Sequence, residues 1–187
     1  MTQNFYNSYL QTLQAIEYCE NNHLQTPALV MLYSAIDSVS WLSSSNPKAS
    51  GKAFKAWVSE WMLKDPRIKC TAEELYAARC GLVHTLTPTS SLTQRGIRKV
   101  AYAWGSASSQ RLEELIDSVD AASELVAVHL SDLIQVFRNG MADYLEYVSE
   151  DSQRKEAFEA KCREHFATVS MERVDEAINQ LNMLNGK

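Results

Sequence analysis

PALVMLYSAIDSVSWLSS, residues 27–44, sets Leu29, Leu32, Ile36, Val39 and Leu42 at helical spacing and carries a single charged side chain, Asp37. A helix that is apolar on most sides has to be enclosed by other elements, so this run predicts the middle helix of a bundle. Thr26-Pro27 opens it, with the proline in the first turn, where a missing N–H costs nothing. The enclosing elements can be read outward in both directions. Residues 4–22 place Phe5, Tyr9, Leu13, Ile16 and Tyr18 at helical spacings. After the loop SSSNPKASG (43–51), KAFKAWVSEWML (52–63) puts Phe54, Trp57, Val58 and Trp61 on one face, and Asp65-Pro66 stops it.

Thr71 and Glu74 have the T-x-x-E spacing of a capping box, so a fourth helix is predicted to start at Ala72. It carries Leu75, Tyr76, Arg79 and Leu82 and ends between His84 and Leu86 ahead of Pro88, with Gly81 as a possible breaker. From 87 to 110 the chain is rich in Ser, Thr and Gly, and the alternating RKVAYAW (98–104) reads as a short strand or hairpin. Residues 111–148 read as one long helix or two abutting ones, and SQRKEAFEAKCREHF (152–166) and SMERVDEAINQLNML (170–184) as shorter ones. The prediction is an all-α bundle of about six or seven helices with an irregular insertion or short β-hairpin near 87–108. At 187 residues one domain suffices, with its core over about 1–148 and C-terminal helices over 149–187.

Composition narrows the function. A net charge of −5 and a pI near 5.4 argue against a protein that coats nucleic acid through a broad cationic face, so any RNA contact has to be local. The N-terminus lacks the basic start and apolar run of a secretory signal, and the four cysteines show no close pairing; both point to a reducing, cytoplasmic location. No apolar run approaches the roughly 20 residues of a membrane span. Phosphate-binding loops, nucleophile elbows, H-E-x-x-H and dinucleotide fingerprints are missing. Cys19 with His23, and Cys162 with His165, could each share a helical face and together have Cys2His2 composition. Zinc modules favour knuckles and short loops, however, and a chain with this much core needs no staple, so neither metal nor cofactor is assigned. His129 reads as a core or interface histidine. The stripe Trp41, Trp57, Trp61 reads as core, with Trp57 or Trp61 able to stack on a base if exposed.

The remaining candidates are Arg79 and His84. An arginine among small and apolar residues, AARCGLV, needs a partner or an outlet to solvent. Five residues of regular helix turn through about 500°, which leaves the two side chains about 140° apart. Bringing them together is expected to need a distorted helix end near Gly81 or a second subunit. Asp37 is either the carboxylate that orients one of them or a polar residue on the edge of its helix.

RCGLVH (79–84) resembles the R-x4-6-H motif of the HEPN domains, and LVMLYSAIDSVSWL (29–42) is similar to the apolar helix with an acidic residue that precedes the motif in that family. The resemblance covers about 25 residues as motif and roughly 1–145 as architecture. It implies an all-α, often homodimeric, metal-independent endoribonuclease of stress or defence systems. Cys80 stands where a polar residue is usual, and Thr85-Leu86 replaces the H-x-Y of the nucleotidylated toxins. Under the resemblance His84 would act as general base or acid at the ribose 2′-hydroxyl or the leaving 5′-oxygen, and Arg79 would hold the phosphorane. Arg95, Arg98 and Lys99 would bind RNA phosphates, or else lie on a solvated loop or strand edge. The substrate would be RNA, since DNA lacks the nucleophile. The alternative is a catalytically inactive HEPN-like interaction module. An Arg79 and His84 aimed together into one open, electropositive cleft favour the enzyme; an Arg79 satisfied by buried helix carbonyls or by Asp37 favours the module.

Overall fold

The computed structural model describes residues 2–45, 50–106, 108–164 and 170–184. Eight α-helices lie among them: α1 (Thr2–Asn21), α2 (Gln25–Ser43), α3 (Ser50–Trp57), α4 (Ala72–Thr85), α5 (Gln110–Ser118), α6 (Leu130–Ser149), α7 (Ser152–Cys162) and α8 (Met171–Leu184). Two strands, β1 (Lys99–Ala103) and β2 (Leu125–His129), complete a mostly helical fold.

The apolar run at 27–44 is the centre of the bundle. Helix α2 buries nine residues, Leu29, Leu32, Ile36, Val39 and Leu42 among them, and packs against α1, α3, α4, α6 and α7. Trp57, Tyr33, Phe5, Phe54 and Phe137 are the largest side chains with essentially no exposure, so aromatic rings from four helices fill the space around it. Of the tryptophan stripe, Trp57 is interior while Trp41 and Trp61 pack half-buried against its outside. The interior runs past residue 148, because Phe158 and Cys162 of α7 belong to it, whereas α8 buries nothing.

Two local features differ from a regular helical reading. Helix α3 passes into a π-helical turn at Val58–Met62, and Gly140 of α6 lies directly against it. A Cβ on Gly140 would stand 2.5 Å from the Trp61 carbonyl oxygen, so glycine lets α6 approach that backbone. The second feature is the β segment. RKVAYAW does contain a strand, but its partner is not across a hairpin. β1 pairs in parallel with β2, Lys99 opposite Leu125 and Ala103 opposite His129, with α5 in the crossover. Residues 111–148 are therefore not continuous helix: α5 ends at Ser118, Asp120 turns in the left-handed region (φ 54°), and LVAVH extends before α6 begins. Four consecutive apolar residues, Leu125 to Val128, fit a buried strand and a buried helix equally well in sequence, and pairing with β1 settles the choice. His129 closes β2, its Nε2–H donating to the Gly105 carbonyl at 3.2 Å. The Tyr33 and Tyr102 hydroxyls, 2.5 Å apart, tie the sheet to α2.

Candidate active site

The capping box predicted at Thr71 fixes where α4 starts. The Glu74 N–H donates to Thr71 Oγ1 at 3.2 Å and the Thr71 N–H to Glu74 Oε2 at 2.7 Å. That start sets the phase that turns Arg79 toward α2. Its Nε–H donates to Asp37 Oδ2 at 2.5 Å, and Nη2 pairs with the same oxygen. Arg79 Nη1 lies 2.9 Å from His84 Nε2. A guanidinium can only donate, so this contact is a hydrogen bond when Nε2 carries no proton, and it selects the neutral Nδ1–H imidazole. Asp37, Arg79 and His84 thus form one hydrogen-bonded chain, half-buried at Asp37 and Arg79 and exposed at His84.

No distortion of the helix or second subunit is needed for this contact. Helix α4 stays α-helical through Thr85. The 140° separation applies to Cα–Cβ directions, while the tips of a long arginine and an imidazole can meet over the rise of about 7.5 Å between them. Gly81 does not break the helix either. The chain leaving α4 folds back across it, so a Cβ there would sit 2.5 Å from the Thr87 carbonyl and 3.0 Å from that of Thr89. Leu86 makes the reversal in the left-handed conformation (φ 54°), and the Thr85 hydroxyl donates to the Gly81 carbonyl at 2.7 Å. This tight exit holds the last turn, and His84 with it, in place.

Burial pushes the Asp37 carboxyl above its ordinary value, against the pull of the Arg79 guanidinium. Burial also opposes the charge on Arg79, but the hydrogen bond and charge of Asp37 outweigh it and hold the guanidinium above its ordinary value. A guanidinium keeps its proton throughout the accessible range, so the pair titrates through Asp37 alone. Ionised Asp37 balances the Arg79 guanidinium, so what this pair offers a phosphate is directed N–H groups, not excess positive charge.

The three basic residues are elsewhere and are not equivalent. Arg98 Nε donates to Glu74 Oε1 at 2.6 Å, and since Glu74 Oε2 takes the Thr71 N–H, Arg98 completes a nearly buried carboxylate at the start of α4. Sequence spacing gave no hint of this contact, which spans 24 residues. Lys99 opens β1, and Arg95 ends a short 3-10 turn at Thr93–Arg95 with an exposed side chain. Of the residues considered for zinc, Cys19 and Cys162 are buried free thiols, His23 turns with φ 57° after α1, and His165 lies outside the described residues. Among the described residues no three His, Cys, Asp or Glu side chains gather as metal ligands, and no helix is long and apolar enough to cross a membrane. The chain matches no family model, no curated protein and no solved structure.

Proposed function

We propose that this protein is a HEPN-like, metal-independent endoribonuclease in which His84 and Arg79 act on the ribose 2′-hydroxyl and the adjoining phosphate. The observation that carries this reading is the chain Asp37–Arg79–His84, which ends on an exposed imidazole. Asp37 occupies Nε and Nη2 of Arg79, fixes the guanidinium plane, and leaves Nη1 for a second partner. In the free protein that partner is His84. When a phosphate oxygen takes the Nη1 hydrogens, His84 Nε2 is released as a base beside it. It removes the 2′-OH proton as the 2′-oxygen bonds to phosphorus, and the bond to the 5′-oxygen breaks. That oxygen then takes up a proton, and the products are a 2′,3′-cyclic phosphate and a 5′-hydroxyl. One imidazole cannot be base and acid in the same step, so a homodimer that faces two copies of the site would supply the second His84 as acid. Arg95 and Lys99 remain available for phosphates further along the strand, whereas Arg98 is committed to Glu74.

The test is cleavage of RNA by purified protein in EDTA, with 2′,3′-cyclic phosphate ends, lost in both Arg79→Ala and His84→Ala. Activity that persists in either variant overturns the assignment.

A second reading has its own observation. Arg79 is satisfied by Asp37, which suits a silent interaction module in which the arginine joins α4 to α2. That reading requires wild-type protein that neither cleaves nor binds RNA, with Arg79→Ala felt only as lost stability.

A further inference from the structure

Two adjoining cavities of about 400 and 290 Å³ open at the C-terminal end of α2 and share Ser43–Ser45, Tyr144 and Tyr147 as walls. We infer that this cleft receives an unpaired base of single-stranded RNA, with a flanking phosphate on Lys52 and Arg154. The inference rests on the ribonuclease reading above and adds to it where the substrate strand runs.

Four observations lead there. The walls are aromatic: Trp61 packs on Tyr144 and Tyr147 with ring centroids 5.6 and 5.3 Å apart, and Arg154 lies 3.7 Å over the Tyr147 ring. Trp61 is half-buried and Tyr147 41% exposed, with Arg154 over one Tyr147 face and Lys64 over Trp61, so a base would stack on the parts of these rings that stay open, as proteins hold bases without regard to sequence. The charge is locally reversed. In a chain of net charge −5, the charged side chains lining the two cavities are Lys52, Arg154 and Lys161 against Glu60 alone. Third, the walls include a buried donor without an acceptor among the described residues, Trp57 Nε1, while Arg154 Nε lies 3.9 Å from Asp151 Oδ1. An unmet buried donor costs about 1–3 kcal/mol, and a nucleobase edge supplies acceptors.

The fourth observation joins the cleft to the site. Ser44, the residue that caps the end of α2, follows Asp37 by seven residues, about two helical turns or 10.5 Å further along the same side. The start of α3 bridges the same gap: Gly51 lies against the Tyr76 ring, one turn before Arg79 on α4, and Lys52 beside it lines the cleft. A strand with its cleaved phosphate at Arg79 therefore has the cleft within reach of its neighbouring nucleotides.

Binding is measured on the non-cleaving His84→Ala protein with a single-stranded hexanucleotide RNA, by tryptophan fluorescence and anisotropy. Saturable quenching is expected, retained in Trp104→Phe and lost in Trp61→Leu. Lys52 is exposed, so Lys52→Glu leaves the fold intact; it should weaken binding about fivefold or more, while Lys69→Glu, at an exposed lysine that lines neither cavity, changes it less than about twofold. In the wild-type background Lys52→Glu should raise KM for the hexanucleotide. Equal weakening by both lysine variants, or RNA binding without quenching, overturns the inference. So does saturation by AMP with no gain from the oligonucleotide, which would make the cleft a mononucleotide site. Absence of cleavage by wild type, with quenching and the Lys52→Glu effect intact, removes the ribonuclease reading and leaves the cleft standing.

Discussion

Arg79 and His84 have different surroundings, and this separates their roles experimentally. Arg79→Ala leaves the half-buried Asp37 carboxylate without a partner and should cost about 1–3 kcal/mol of stability along with activity. His84 is exposed and ends the chain of contacts, so His84→Ala should abolish cleavage and change stability by less than about 0.5 kcal/mol. Urea denaturation beside a cleavage assay checks both. Gly81 gives a third test at this scale. Alanine is the better helix former by about 1 kcal/mol, yet its methyl would meet the Thr87 and Thr89 carbonyls, which cannot retreat without opening the exit of α4. Gly81→Ala should therefore destabilise by about 1–3 kcal/mol and lower activity through displacement of His84. The identities of Asp37, Arg79 and His84 as candidates were legible in the sequence. Their contact was not, because helix periodicity orients the first bond of a side chain and says little about the tip of a long one.

Helix ends carry the next set of interactions. Capping at the start of α4 was legible because Thr71 and Glu74 belong to one local pattern. Its C-terminal end holds Leu86 in the left-handed region with 64% exposure, so Leu86→Gly should relieve strain at little cost in burial and stabilise the protein by about 1 kcal/mol, read from the shift in thermal midpoint. The C-terminal end of α2 is closed by another helix. Lys161 of α7 donates to the carbonyls of Trp41 and Leu42, both at 3.1 Å, and to that of Ser44, placing an ammonium where the helix dipole is negative. Burial pushes this ammonium below its ordinary value. Lys161→Met retains the aliphatic length and orphans three carbonyls, so a loss of about 1–2 kcal/mol is expected in urea denaturation. No local pattern announces this cap, since the partners are more than a hundred residues apart in the chain. The same limit concealed the parallel pairing of β1 with β2.

The whole molecule is a bundle assembled around one apolar helix, with a β-α-β insertion laid against it and α8 contributing nothing to the interior. Its buried acids predict how stability depends on pH. Burial raises the Cys70 thiol to about 12 and the Cys162 thiol to about 11, both from an ordinary 9.0, and raises the hydroxyls of Tyr33, Tyr102 and Tyr144 in the same direction. An unfolded chain loses these protons first, so the stabilisation is complete below pH 9 and falls as pH rises through 11 and 12. The urea midpoint should hold steady from pH 7 to 9 and drop by pH 11; an unchanged midpoint would show that these groups are solvated. What the sequence determined by itself was whatever periodicity and local spacing encode: a helical bundle with PALVMLYSAIDSVSWLSS at its centre, an irregular segment with a strand or hairpin as the reading of RKVAYAW, the capped start of α4, and Asp37, Arg79 and His84 as candidate site residues. Tertiary structure alone decided that Asp37, Arg79 and His84 touch, that Arg98 is committed to Glu74, that LVAVH is a strand, and that Lys161 closes α2. The pairs Asp37–Arg79, Arg98–Glu74, β1–β2 and Lys161–Trp41 join groups far apart in the chain, while Arg79 and His84 meet across five residues through the length of a side chain. The energies of all of them follow from distance and burial, which appear only once the bundle has packed.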